Sequence, residues 1–175
     1  MRTPTDRPLR VLIGIPATAA LLATGWLLVG TLDFRSRWET FDPTDKRVGS
    51  YEYDHFLSWG GEAMFLGIVA LVLLAQMTLG LMRDPSLSFG WALRQGFLTA
   101  IAGIALALAS RLADYYYTFV VAVPYDSTTK VFAASGLSIV SRAGLIGGIA
   151  AFGTAIALWT LAIRLFLGRQ IASSY

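Results

Sequence analysis

Four long stretches without a charged residue divide the chain, and they cover residues 11–32, 63–82, 95–110 and 143–163. A helix of about 20 apolar residues rises about 1.5 Å per residue and so crosses a hydrocarbon core of about 30 Å. Extending each stretch to its apolar and aromatic flanks predicts membrane spans at about residues 11–32, 58–82, 93–117 and 140–164. The segment 33–57 is predicted to be one short extracytoplasmic loop.

The first stretch also has the start of a secretory signal peptide, because three arginines precede it at positions 2, 7 and 10. Its apolar part is longer than the apolar region of a signal peptide, and no small-x-small cleavage site follows it. We therefore expect it to be kept as the first membrane span.

Composition supports a membrane protein. The 175 residues are 55% hydrophobic and 14% charged, whereas soluble domains carry about 25% charged residues. A soluble enzyme, a nucleic-acid-binding protein and a disordered chain are thereby excluded. The predicted fold is an all-α integral membrane protein, with residues 1–175 forming a single four-helix bundle, because the outer loop is too small for a core of its own.

The chain has no cysteine and one histidine. Disulfide scaffolds, cysteine-bound zinc, iron–sulfur clusters, thiol nucleophiles and haem held by two histidines are therefore excluded. No catalytic motif is found, so the chain is predicted not to be an enzyme. No cofactor and no metal are predicted, since the acidic residues around His55 match no established metal site.

Orientation follows from the charges of the short loops. With both termini in the cytoplasm, the two termini and the tight loop between the second and third spans carry seven arginines and two aspartates. The outer side also carries seven basic residues, but four of them lie in the long first loop. Short loops dominate the positive-inside rule, which favours both termini inside. The excess of arginine over lysine and the absence of disulfides favour a bacterial cytoplasmic (inner) membrane.

Small residues recur at spacings of four and three in the last two spans. They are Gly96, Ala100, Gly103 and Ala107 in the third span, and Gly144, Gly148 and Ala151 in the fourth. Such spacing places each set on one helix face, and small faces let two helices approach closely in lipid. A close antiparallel pairing of these spans is predicted; the alternative is that glycine and alanine are simply common in membrane helices.

Four charged residues are predicted to share one layer near the outer membrane edge. Counted from the cytoplasmic arginine of each span, Glu62, Asp114 and Arg142 lie at about 30 Å, and Arg111 lies one turn lower. Unpaired charges at this depth are costly, so neutral pairing is expected. The layer is either a pocket for a lipid headgroup, a quinone head or a small polar solute, or a salt-bridge clamp whose charges reach interfacial water.

Apolar sequence continues beyond this charged layer, at residues 118–123 and 131–140. Straight helices through these flanks would be about 43 and 50 Å long, more than the membrane core requires. Extended outer ends of helices 3 and 4 would form an apolar hairpin that needs cover from a partner. The alternative is an amphipathic segment lying on the outer leaflet.

These patterns favour a non-catalytic accessory or structural subunit of a larger membrane protein complex. Expected partners are other membrane protein subunits and membrane lipids, with no nucleic acid. One alternative is a small membrane protein that binds a lipid, quinone or small polar ligand in the outer charged layer. A second alternative is a membrane enzyme of unknown chemistry.

Overall fold

The computed structural model describes residues 6–38, 50–83, 88–122 and 127–173, with side chains described for 8–33, 59–83, 88–115 and 140–168. Each of the four ranges contains one α-helix, and their bounds are α1 Asp6–Trp38, α2 Ser50–Arg83, α3 Phe89–Ala122 and α4 Ser127–Ser173. Helices satisfy their own backbone hydrogen bonds, which is why apolar sequence of this kind adopts them in lipid. Ser88 caps α3, since its hydroxyl oxygen accepts the Trp91 N–H at 3.2 Å.

All four helices contain a segment long and apolar enough to cross a membrane. These segments are Pro8–Asp33, Trp59–Arg83, Phe89–Tyr115 and Val140–Gly168. The predictions of an all-α chain and of four membrane-length helices are therefore confirmed. Each of the four uncharged stretches lies within one helix.

The helices are longer than the predicted spans. α1 continues to Trp38 and α2 begins at Ser50, so both extend into the segment 33–57 that the sequence predicted as a loop. The added helical turns contain arginine and glutamate, which interrupt a hydrophobic pattern but are good helix formers in water. Residues 39–49 lie outside the described part of the chain. α3 has 34 residues and α4 has 47, so both are longer than the roughly 20 residues needed to cross a hydrocarbon core.

The helices form an antiparallel ring in chain order, in which each packs against the helices before and after it. The contact between α3 and α4 is the most extensive, followed by those of α2 with α3 and of α1 with α4. The diagonal pair α1 and α3 barely touches. At one end of the ring, an Arg10 N–H donates to the Leu81 carbonyl at 2.5 Å. At the other end, the Ser110 hydroxyl donates to the Ser141 carbonyl.

Small and medium-sized apolar side chains fill the interior in two clusters. One includes Ala70, Leu106 and Ala109, and the other includes Met77 and Leu158. The share of buried residues in the membrane-length window is 56% for α3 but only 28% for α1 and for α2. α3 is therefore the central packing element, and α1 and α2 leave most of their surface outward.

Candidate functional site

The two ends of the bundle carry different charges. Three contacts between helices identify the residues that share one end. The Trp91 indole lies beside Gly80, the Trp159 indole lies beside Gly96, and Arg10 donates to the Leu81 carbonyl. Among the described side chains, the charged residues at this end are the four arginines Arg10, Arg83, Arg94 and Arg164. We call it the arginine end. The opposite end, called the mixed end, carries Asp33, Glu62, Arg111, Asp114 and Arg142.

Close contacts bring the four helices together at the mixed end. The rings of Trp59 and Tyr115 lie 5.9 Å apart between α2 and α3. A Cβ atom on Gly30 would lie 2.5 Å from a methyl group of Val140, so α1 and α4 approach closely there. The structure thus places the four charged residues predicted from the sequence at one end of the bundle.

The predicted charged residues point mainly outward. Glu62, Arg111 and Arg142 are exposed, whereas Asp114 is half-buried and has a polar partner. Asp33 of α1 joins the same end and also has a polar partner, so every helix contributes a charge there. The sequence predicts Asp33 to lie in the outer loop. Asp33 is the first charged residue after the stretch 11–32, and this position could have identified it as part of the mixed end.

A shallow open groove lies between α2 and α3 at the mixed end. Its volume is about 500 Å³, and it is lined by Gly61, Glu62, Phe65, Leu66 and Leu112. The lining is mostly apolar, with the Glu62 carboxylate as its charged group. Such a groove suits an acyl chain or another aliphatic tail better than a small polar solute.

The small residues predicted to pack α3 against α4 lie between these helices. A Cβ atom added to Gly103 would lie 3.3 Å from the Gly148 carbonyl oxygen, and one added to Gly148 would lie 3.2 Å from that of Gly103. Gly144 faces the Ser110 backbone at 3.4 Å by the same measure. The remaining members are buried or, for Ala107, half-buried: Gly96, Ala100, Ala107 and Ala151.

Buried polar groups cross the bundle at several depths, and most of them are satisfied locally. The hydroxyls of Thr24, Thr31, Thr99 and Thr154 each donate to the carbonyl four residues earlier, at 2.6–2.8 Å. All four side chains are at most 1% exposed. They are therefore packed into the helices and do not line a path.

The arginine end contains two buried polar atoms that, unlike the threonine hydroxyls, are not satisfied locally. Within the described residues, Gln95 Oε1 and Trp159 Nε1 have no hydrogen-bond partner. The Trp159 ring also packs edge-on against Phe97, with centroids 5.4 Å apart. The packing of the Trp159 indole over Gly96 could not be read from sequence spacing alone.

No group of three or more histidine, cysteine, aspartate or glutamate side chains within the described residues is arranged to hold a metal ion. His55 lies in α2 but outside the residues whose side chains are described.

No protein-family model, curated protein or solved structure matches the chain.

Proposed function

We propose that this protein is a non-catalytic accessory or structural subunit of a larger membrane protein complex. The observation that carries the proposal is the length of α4. Its 47 residues span about 70 Å, more than twice the hydrocarbon core of about 30 Å. Within it, residues 131–140 are mostly apolar in sequence and precede the uncharged stretch 143–163. An apolar helix outside the membrane is stable when another surface covers it.

The packing of the bundle supports a structural role. The fully buried threonine hydroxyls bond within their own helices, and alanine and leucine fill the space between them. A transport path requires polar groups that face a common cavity through the membrane. A packed bundle of this kind is suited to presenting helix surfaces to neighbours.

The charge difference between the two ends supports a topology with both termini in the cytoplasm. The arginine end has four arginines, and the mixed end has three acids and two arginines within the described side chains. The positive-inside rule assigns the arginine end to the cytoplasm. A bacterial cytoplasmic membrane is the proposed location.

A second candidate function is the binding of a lipid or quinone, and the groove between α2 and α3 favours it. Its apolar wall would hold an aliphatic tail, with Arg111 and Arg142 near the headgroup layer at the same end of the bundle. The residues that line the groove do not include Arg111, Asp114 or Arg142. Binding of an aliphatic tail there therefore does not require all four charged residues predicted from the sequence.

One experiment distinguishes these functions. The tagged chain is extracted from its native membrane in a mild detergent, and the intact particle is weighed by native mass spectrometry. A complex subunit is recovered with a second polypeptide in fixed ratio. A ligand-binding protein is recovered without one, with the added mass of a lipid or quinone that is lost when Leu112→Trp fills the groove.

Matched double substitutions locate the contact. Phe132→Ala with Leu137→Ala, in the extension of α4, is expected to release the second polypeptide. Ile149→Ala with Ile156→Ala, on the outward face of the membrane segment, is expected to retain it. Recovery of the chain with no other polypeptide contradicts the proposal.

A further inference from the structure

Gln76 of α2 is an exposed amide inside the membrane-length segment. It lies seven residues before Arg83 and fourteen after Glu62. Along the helix axis it is therefore about 10 Å from Arg83 and about 21 Å from Glu62. Its side chain is exposed, and in the part of the chain that the structure describes it has no hydrogen-bond partner. An amide that meets only hydrocarbon loses the hydrogen bonds it would have in water.

Other outward-facing hydroxyls in the membrane-length segments are satisfied. The Thr18 and Thr160 hydroxyls are also exposed, and each donates to the carbonyl four residues earlier at 2.8 Å. Half-buried Thr78, near Gln76 in the same helix, does the same with the Leu74 carbonyl. Gln76 therefore differs from these hydroxyls in needing a partner from outside its own helix.

The residues around Gln76 form a continuous outward face with a seven-residue repeat. Positions 62, 69, 76 and 83 make one row, and positions 65, 72 and 79 make the second. Phe65, Val72 and Leu79 are 66%, 59% and 49% exposed, and Val69 is half-buried. Two such rows are the pattern by which helices pack in a coiled coil, and most membrane helix pairs cross at a similar small angle. We call these residues the α2 face.

We propose that the α2 face pairs with the α2 face of a second copy of this chain, with the two Gln76 carboxamides hydrogen-bonded to each other. A carboxamide has both a donor and an acceptor, so two copies related by a two-fold axis satisfy each other at the same residue. Two copies inserted with the same orientation place Gln76 at equal depth. A single polar residue in such a row also fixes the register of the pair.

The ends of the α2 face are compatible with this pairing. Glu62 and Arg83 close the repeat at its two ends, where each side chain reaches the headgroup layer. Like charges from the two copies are then separated by water and lipid headgroups. Because the pairing involves only copies of this chain, it holds whether or not another subunit binds the extension of α4.

Disulfide formation tests the pairing, and the chain offers a clean background because it contains no cysteine. Val72→Cys is introduced into the full-length protein, and membranes are oxidised before denaturing electrophoresis. A disulfide-linked dimer is expected. Adding Gln76→Leu is expected to lower the linked fraction about threefold, the factor that corresponds to an average hydrogen bond between membrane helices. Adding Gln76→Asn, which keeps a carboxamide, is expected to preserve more of it.

Ile104→Cys is the matched control. Ile104 is 50% exposed on α3, about 15 Å from Arg94, as Val72 is about 16 Å from Arg83. The pairing is overturned if Val72→Cys links no more than Ile104→Cys at equal expression, or if Gln76→Leu leaves the linked fraction unchanged. Equal thermal stability of the Gln76 variants establishes that a loss of linkage reflects association and not unfolding.

Discussion

Gly103 and Gly148 are the residues at which α3 and α4 approach backbone to backbone. A Cβ atom added to either glycine would lie 3.2–3.3 Å from the carbonyl oxygen of the other, and one added to Gly103 would also lie 3.0 Å from the Phe152 ring. In lipid there is no hydrophobic force between helices, so such close packing supplies much of their attraction. These glycines therefore matter because they have no side chain, which lets the two helices approach closely.

A larger side chain at Gly103 is expected to push the two helices apart. Gly103→Leu should lower the free energy of unfolding in detergent by about 1–3 kcal/mol, the usual effect of overpacking a tight contact. Gly153→Leu is the matched control, because a Cβ atom there meets nothing within 4 Å. The control should be neutral or slightly stabilising, since leucine favours helix over glycine. Equal losses in both variants would contradict the close contact.

Sequence spacing identified the helix faces lined by glycine and alanine, but not the side chains that pack against them. Glycines and alanines three and four residues apart share a face by helix geometry alone. The spacing could not show that Leu158 continues the buried face of α4 or that the Trp159 indole covers Gly96. Those contacts depend on side-chain shapes from two helices that are distant in sequence.

Among the elements, α1 is joined to α2 at the arginine end by a charged group. The Arg10 guanidinium donates to the Leu81 carbonyl in the last turn of α2. Carbonyls at a helix C-terminus have no partner within the helix and carry partial negative charge, so a cation stabilises them. This bond holds the start of one helix against the end of the next.

Arg10→Ala is expected to loosen that end of the bundle. The loss should be about 1–2 kcal/mol, below the full value for a buried charged hydrogen bond because the group is only partly buried. Hydrogen–deuterium exchange should rise in residues 8–16 and 78–83 while exchange in residues 105–113 stays unchanged. Arg94→Ala, which removes an exposed arginine at the same end, is the control. Unchanged exchange in both regions would show that the bond is dispensable.

At this scale too, the sequence predicted the number of helices but not their ends. Uncharged stretches define where a chain can lie in hydrocarbon, and each of the four lies within one helix. A helix does not end where the membrane does. The continuation of α1 to Trp38 and the 47-residue length of α4 depend on helix propensity in the headgroup layer and in water, which hydrophobicity does not report.

The whole molecule has a charge axis parallel to its helices. Four arginines lie at one end, and the other end has a small net negative charge over the described side chains. Counting lysine and arginine along the sequence gave equal numbers on both sides of the membrane. The antiparallel bundle shows at which end each described charge lies, and the positive-inside rule compares the charges at the two ends.

The proposed orientation predicts which cysteines an impermeant reagent reaches. Ser88→Cys at the arginine end should react with a membrane-impermeant maleimide only after the cells are permeabilised. Asp45→Cys, between α1 and α2, should react in intact cells. The absence of native cysteine makes the unsubstituted chain the blank. Labelling in the reverse pattern would place the arginine end outside.

The placement of the hydrogen bonds has a mechanical consequence for the bundle. Among the described residues, the bonds that Arg10 and Ser110 make to neighbouring helices lie near its two ends, while the threonines between them bond only within their own helices. At mid-depth the helices are therefore held by packing, which includes the close approach of Gly103 and Gly148. Hydrogen bonds align the helices at the two ends of the bundle, and the fit of side chains aligns them between.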